Sequence, residues 1–571
     1  MKRPYFKVGF LYQKITMIKN IQLKSGRASD TEKTNVDALP ITVFVGPNNS
    51  GKSQILREIN QFCMNGNDNS NNKIIDKIEF VAIQENAIEE TINKIKLEPH
   101  LNEMVYSDHI LVGRNGERQQ VHLREYKNAF LNPNALVTQF CNWYLRYSTL
   151  ILNGNNRINL INTQSAGNLQ DPPHSSFQML FRDDEKRAQV RRIIYEAFGK
   201  YLVIDPTNLG NLSLRLSTKK PENDLEERGI HKEAVEFHKN AMPIEHASDG
   251  VKAFTGMVTE MVAGDPSILL MDEPEAFLHP SLAFNLGKEV ASIMSHSDKR
   301  LFVATHSPNF IMGCIQSGAP VNIVRLTYRD GVATSRILPN EDILKLMRNP
   351  LLRSVGVLSA LFYEFVVVTE SDADRAFYQE VNDRLLKFTD KGIPNCLFLN
   401  AQNKQTVKTI IKPLRQLGIP VAGIVDIDIL KEGGSVWSDF LDCASLPEIE
   451  RHPLGQTRQA LKQKFIDSGR DMKRDGGINI LTGQDKEALS NLFQKLAEYG
   501  LFVVPNGELE SWLLSLQATS HGPNWLIQIF EKMGEDHNSG DYIKPDDSDV
   551  WAFLEEIGKW FLNPIKKGIP D

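Results

Sequence analysis

The chain has 571 residues, too many for one hydrophobic core, so about two or three domains are expected. Its composition, 41% hydrophobic and 24% charged with a net charge of −6, is that of an ordinary globular protein, and any nucleic-acid contact must come from a local basic surface. No apolar run approaches the roughly 20 residues of a membrane span, and the N-terminal stretch lacks a signal-peptide apolar core. The five cysteines (Cys63, Cys141, Cys314, Cys396, Cys443) are scattered, with no C-x-x-C pair. A membrane protein, a disulfide scaffold and a cysteine-based zinc site are thereby set aside, and a cytoplasmic location is expected.

Residues 8–23 alternate loosely and predict the first strands of a sheet, followed by a polar loop over 25–35. The run 41–45, ITVFV, predicts a buried strand that leads into GPNNSGKS and then a helix. A G-x-x-x-x-G-K-[ST] pattern between strand and helix is a phosphate-binding loop. Gly46 and Gly51 let the backbone wrap closely, so that the intervening Asn48, Asn49 and Ser50 can turn N–H groups toward phosphate oxygens, and the helix adds its positive end. Lys52 would reach the outer phosphates, and the Ser53 hydroxyl would take one Mg2+ position. ATP is the expected ligand. Taken alone, the motif also fits a plain glycine-rich turn.

The helix is predicted to run to about residue 64, and the Asn- and Asp-rich tract 65–72 has turn composition. A strand over 78–83 is followed directly by Gln84. Residues from about 85 to 242 show no recognisable chemistry. They predict helices over 137–152 and 185–201 and a strand over 211–216, a mainly helical insertion within the ATPase. At 247–254, ASDGVKAF, Ser248 and Gly250 open a helix and could present N–H groups to a phosphate, or simply cap it. In SILLMDEPEAFLHP, the strand 268–271 delivers Asp272 and Glu273. Asp272 would hold Mg2+ through water, and Glu273 would polarise the water that attacks ATP. A strand over 301–304 leads into Thr305, His306 and Ser307, and His306 is expected at the γ-phosphate.

On these motifs, residues 1 to about 345 resemble an ABC-type ATPase head of the branch that includes SMC-like and RecF-like proteins. The resemblance implies that Gln84 senses the nucleotide's metal. It also implies that Ser248 and Gly250 contact ATP held by a second subunit, so that the site is completed in a homodimer or higher homo-oligomer. No sustained heptads occur, so a long coiled-coil arm is not expected. A hairpin is predicted over 323–337 with Asp330 and Gly331 in its turn, then a linker helix within about 346–364 (apolar over 350–362), with a second domain over 365–571.

The second domain opens on FVVVT (365–369), a buried-strand run ending in Glu370, with Asp374 four residues on. Another such run, 421–425, ends in Asp426, Ile427 and Asp428. By the two-residue strand period both aspartates point to one side. Two parallel strands delivering carboxylates to one edge make an oxygen-rich site suited to Mg2+ or Mn2+. Helix capping is the competing role for Asp374 or Asp428 alone. In LFVVPNGELESWLL (501–514), Glu508 and Glu510 could add a ligand, Glu510 being preferred. The arrangement resembles a Toprim domain, with Ser371 standing where that family usually has glycine.

An ABC-type head followed by a Toprim domain, carried by GPNNSGKS, LLMDEPE, ATHS, VVVTESDAD and VDIDI, resembles the OLD (overcoming lysogenization defect) nuclease family over nearly the whole chain. The resemblance implies two metals bound by the Toprim carboxylates Glu370, Asp374, Asp426 and Asp428 for phosphodiester cleavage. It also implies a basic residue assisting the chemistry, for which Lys532, Lys566 and Lys567 are candidates. Lys404, Lys408, Lys412 and Arg415 recur at helical spacing and could contact DNA, although a solvated amphipathic helix, interrupted near its end by Pro413, fits the same pattern. The expected protein is α/β, ATP-dependent and homo-oligomeric, a divalent-metal DNA endonuclease of bacterial anti-phage defence, with scope for a defence-system partner. Rivals are an ATP-driven DNA sensor or clamp that does not cut, an RNA-cleaving toxin, and a topoisomerase or primase. For the last, the cysteines offer no zinc module and little chain remains for a tyrosine domain.

Overall fold

The computed structural model describes residues 17–569 except 29–30, 67–70, 101–102, 115–116, 351 and 353–355. The strand expectation for residues 8–16 therefore lies outside the described residues. The chain divides into two compact units, one built from the described residues up to Val45 with Asn49–Asn340, the other from Gly46–Asn48 with the residues from Glu341 onward.

The first unit is organised on a six-stranded sheet in the order Val332–Leu338, Val321–Arg329, Ile41–Val45, Arg300–Ala304, Ile268–Asp272, Thr149–Leu152. The first two pair as an antiparallel hairpin and the remaining pairings are parallel. Ile41–Val45 and Arg300–Ala304 are buried throughout, as parallel strands covered on both faces must be. Asp272 stands opposite Ala304, and Ala304 opposite Phe44. Asp272 and the residues after Ala304 and Val45 therefore leave the sheet at its carboxyl edge, where open α/β sheets bind ligands. In the hairpin, Asp330 and Gly331 have φ of 49° and 84°, the positive values that a tight two-residue turn requires.

Three expectations change. The helix expected over 137–152 stops at Ser148, and Thr149–Leu152 is a strand paired with Ile268–Met271. A four-residue apolar run fits either conformation, and the open sheet edge decides. The stretch 85–242 is consequently not one excursion, because Thr149–Leu152 returns to the main sheet. On either side of it lie antiparallel sheets as well as helices, including Lys96–Leu97 with His109–Arg114 and Glu117–His122, and Tyr201–Asp205 with Asn211–Ser217. The helix expected over 185–201 ends at Phe198, where Gly199 turns left-handed with φ 63° and releases the chain into Tyr201–Asp205.

The second unit carries a four-stranded, wholly parallel sheet in the order Cys396–Asn400, Phe365–Thr369, Val421–Val425, Leu501–Val503. Its core joins Phe365, Val367, Phe377 and Tyr378 to Trp525, Trp551 and Phe561 from the C-terminal helices Pro523–Met533 and Asp549–Leu562. Of the apolar stretch 350–362, Val357–Phe362 is a 3-10 turn.

Arg415 corrects an expectation. Rather than lining an exposed row on helix Lys404–Gln416, it is fully buried. Its guanidinium donates to the carbonyls of Val421 (3.0 and 2.6 Å), Tyr499 (2.9 Å) and Gly568 (2.8 Å), tying helix, sheet and C-terminal segment together. Arg415→Met would leave these carbonyls without donors and is expected to destabilise the unit by roughly 3–5 kcal/mol. Urea unfolding followed by tryptophan fluorescence reads mainly this unit, since Trp437, Trp512, Trp525, Trp551 and Trp560, five of the six tryptophans, lie in it. A loss below about 1 kcal/mol, the scale of an ordinary surface change, would refute the structural role.

Candidate functional site

The phosphate loop bends through left-handed backbone at Asn49 (φ 62°) and Gly51 (φ 94°) and enters helix Lys52–Asn65. The positive φ is what calls for glycine at Gly51; a Cβ there would also lie 2.6 Å from Ile74 Cδ1, which would have to shift. The helix has neither a side-chain cap bond nor an acidic residue in its first turn, which leaves N–H groups for an anion. Lys52 is buried, and burial draws its pKa down to about 8 against the opposing charges of Glu273 and Asp272. Ser53 Oγ donates to Asp272 Oδ1 at 2.9 Å, so the two groups expected to serve one cation are neighbours.

Glu273 has φ 52°, a left-handed conformation that costs a non-glycine residue about 1–3 kcal/mol and persists only where its surroundings enforce it. His306 Nε2 stands 3.8 Å from Glu273 Oε1. Burial, and after it the charge of Lys52, holds the imidazole below its ordinary pKa, so the ring is neutral at neutral pH. Two residues that sequence reasoning did not assign complete this cluster. Glu275 is half-buried, with its Oε2 enclosed, and accepts from Thr305 Oγ1 (2.8 Å) and the His306 N–H (2.9 Å), and burial raises its pKa. Arg157, 1% exposed, donates to the carbonyls of Asp272 (3.0 Å) and Glu273. Glu275 stood inside the motif that was read, whereas nothing local in the sequence marks Arg157.

Ser248 is the N-cap residue of helix Asp249–Val262 and makes no side-chain cap bond. Gly250 has a packing reason of its own, because a Cβ there would lie 2.6 Å from the Phe277 carbonyl. Gln84 is exposed at the start of helix Glu85–Asn93, and its side chain makes no cap bond.

In the second unit, Glu370, Asp426 and Asp428 each place an oxygen within 4.8 Å of the others. The expected reason was strand alternation; the observed one differs. The strand ends at Val425, Asp426 caps the 3-10 turn Ile427–Lys431, and that turn carries Asp428 back toward Glu370. Glu370 Oε1 accepts the Asp426 N–H at 2.9 Å. Burial, and then the charge of Asp426, pushes Glu370 well above the usual carboxylate range, and burial lifts Asp426 against the pull of Lys473. Asp428 Oδ1 is buried without a hydrogen-bond partner, an acceptor that a cation would satisfy, and an all-carboxylate donor set suits Mg2+ or Mn2+.

The other expected ligands each have one oxygen hydrogen-bonded to backbone. Asp374 forms a capping box with Ser371, accepting its N–H at 2.8 Å, and burial raises its pKa. Glu510 accepts the Gly522 N–H at 2.9 Å. Neither belongs to the converging trio.

The basic residues are distributed differently from expectation. Lys473, unmarked by any motif, sets its Nζ 2.7 Å from Asp426 and 3.4 Å from Glu508. Burial, the largest influence, opposes its charge, but Asp426, Asp428 and Glu508 together outweigh it and the pKa rises. Lys404 pairs with Asp428 and Glu432 at 3.0 Å each, Lys408 with Asp439 and Lys412 with Asp442 at 2.6 Å. The row Lys404, Lys408, Lys412 is therefore a row of ion pairs. Lys532 donates to the carbonyls of Leu516 and Gln517, and Lys567 pairs with Glu498.

A family model described as "AAA domain, putative AbiEii toxin, Type IV TA system" matches residues 146–312, which hold Arg157, Asp272, Glu273 and His306. A second, "Overcoming lysogenization defect protein-like, TOPRIM domain", matches 361–428, which hold Glu370, Asp374, Asp426 and Asp428. No curated protein matches. Solved structures similar to parts of the chain include an SMC head bound to the C-winged helix domain of ScpA, at 15% identity over 58% of this chain and 99% of that one, TM-score 0.33. The SMC head domain from Thermotoga maritima aligns at 14% identity over 57% and 100%, TM-score 0.29. The Smc head with an extended coiled coil, bound to the C-terminal domain of ScpA, from Pyrococcus furiosus aligns at 13% identity over 58% and 98%, TM-score 0.29. An AAA-type ATPase domain is thus followed in one polypeptide by an OLD-like Toprim domain, an order that matches an OLD-family ATPase–Toprim fusion.

Proposed function

We propose that this protein is an ATP-controlled, divalent-metal-dependent DNA endonuclease that works as a homo-oligomer in the cytoplasm, in bacterial defence against phages. The observation that carries the reading is the convergence of Glu370, Asp426 and Asp428 on one point at a parallel-sheet edge, with an unsatisfied buried oxygen on Asp428. Its setting, in one chain with the Ser53, Asp272, Glu273 and His306 cluster, supports nucleotide control of that centre.

Glu370, Asp426 and Asp428 would hold the metal. Bound divalent cations would supply stabilisation of the attacking and leaving oxygens during displacement at phosphorus. Asp374 and Glu510 would fix the rim through their bonds to Ser371 and Gly522. Lys473, paired with Asp426 and Glu508, offers a positive charge at the point where a phosphodiester would approach. In the ATPase domain, Lys52 would hold the outer phosphates, Ser53 and Asp272 the Mg2+ ion, Glu273 the attacking water and neutral His306 the γ-phosphate. Ser248 and Gly250 would contribute to the nucleotide held by a second copy.

Supercoiled plasmid incubated with Mn2+ or Mg2+, with and without ATP, is expected to be nicked or linearised by the wild type. Asp426→Ala should lower that rate by at least about 100-fold, the usual scale for losing a group that supports transition-state charge. Undiminished cleavage by the variant would sink the nuclease assignment. A wild type that cuts transfer RNA but not plasmid would move it to RNA.

The raised pKa values of Glu370 and Asp426 give a second expectation. In the metal-free protein these carboxyls hold protons beyond the ordinary carboxylate range, and metal must displace them. Because the folded values lie above the unfolded ones, the stability the neutral forms provide is present below the ordinary carboxylate pKa and is lost as pH rises through the shifted values. Mn2+ relieves that loss, so it should raise the melting temperature more at about pH 8 than at about pH 6. An equal or smaller shift at the higher pH would contradict a carboxylate-only site.

A further inference from the structure

We infer that Arg157 is a positioning residue of the ATPase, holding Glu273 in its left-handed conformation through the carbonyls of Asp272 and Glu273. The inference rests on the reading of Glu273 as the group that orients the attacking water.

Three observations carry it. Glu273 is the residue after a strand, and its φ of 52° turns the chain sharply at the point where the side chain must face the nucleotide. Its own N–H is held by the Ala304 carbonyl at 2.8 Å, so the residue is clamped on its amino side by the sheet. On its carboxyl side the clamp is Arg157, whose Nη1 bridges the two successive carbonyls of Asp272 and Glu273. One Nη1 carries two N–H donors, enough for both carbonyls, and the rigid guanidinium plane fixes their direction.

The burial of Arg157 has no other evident purpose. It is 1% exposed, comes from the short helix Gly154–Asn159, and its Nε has no hydrogen-bond partner among the described residues. Glu275 Oε2, on the same turn, is likewise buried without one, while Glu275 Oε1 holds Thr305 and His306. The charges nearest Arg157 are Glu275, Asp272 and Glu273. One buried cation is thus embedded among the three carboxylates that set the water-orienting group, the metal contact and the histidine. A buried guanidinium without an acidic partner in direct contact serves the backbone, and the backbone it serves is the strained one.

The test is a double-mutant cycle on the full chain: wild type, Arg157→Met, Glu273→Gln and the two combined. ATP turnover is counted per nucleotide site titrated with a fluorescent ATP analogue, so that misfolded protein does not enter the rate. Arg157→Met is expected to lower turnover per site at least about tenfold while analogue affinity stays within about threefold, as misplacing a reacting group does. The combined variant should be no more than about twofold slower than Glu273→Gln, because Arg157 has nothing left to position. Arg157→Lys should fall between wild type and Arg157→Met, and it carries the same cycle if the methionine variant does not fold. Wild-type turnover per site in Arg157→Met, or losses that multiply in the combined variant, would overturn the inference while leaving Glu273 in its role. Wild-type turnover in Glu273→Gln would instead remove Glu273 from that role and the inference with it.

Discussion

A parallel strand covered on both faces can present a polar side chain only where it ends, and both units are built around that constraint. Ile41–Val45, Ile268–Asp272 and Arg300–Ala304 in the first unit, and Phe365–Thr369 and Val421–Val425 in the second, are apolar until their last residue or the one beyond, apart from Thr42 and the leading Arg300. Charge is therefore expelled to the carboxyl edge of each sheet. Ser53, Asp272, Glu273 and His306 gather at one edge, and Glu370, Asp426 and Asp428 at the other. Gathering like charges in a partly dehydrated place is unfavourable by itself. Each edge accordingly contains a lysine, Lys52 from the phosphate loop itself in the first and Lys473 from a separate segment in the second.

The backbone at these edges is as constrained as the charges. Gly51 cannot be replaced without meeting Ile74, and Glu273 is held at positive φ between a sheet carbonyl and a buried guanidinium. In the second unit the path is relieved differently: Asp426 leaves its strand into a 3-10 turn, and Asp374 closes a capping box with Ser371. The capping role and the acidic character of Asp374 are compatible, since one carboxylate oxygen on a helix N-terminus leaves the other to face the cluster.

Strand-end chemistry was legible because it is local. An apolar run followed by Lys-Ser after a glycine turn, by Asp-Glu, by Thr-His-Ser or by Asp-x-Asp can be read within a dozen residues, and the runs at 41–45, 365–369 and 421–425 have the bounds the sequence suggested. Arg157 and Lys473 were not legible because each reaches its site from a loop or short helix distant in sequence, with no periodicity to flag it. The lysines of helix Lys404–Gln416 show the complementary limit. Helical spacing shows which residues share a face but not which acids on the next element meet that face, and Asp439 and Asp442 do. Arg415 looked like one more member of the row, yet the carbonyls of Val421, Tyr499 and Gly568 claim it. Thr149–Leu152 shows the same limit for backbone, since only the neighbouring strand Ile268–Asp272 makes it a strand.

The ion pairs around the acidic edge have a consequence for how this surface meets polyanions. Lys404, Lys408, Lys412 and Lys473 are already neutralised by Asp428 with Glu432, Asp439, Asp442, and Asp426 with Glu508. Affinity for nucleic acid normally grows from the entropy of small cations set free when lysines replace them along the phosphates. Here each lysine exchanges a carboxylate for a phosphate, so part of that gain is offset by the pair it gives up, a pair that contributes only about 0–1 kcal/mol where it is as exposed as Lys412 with Asp442.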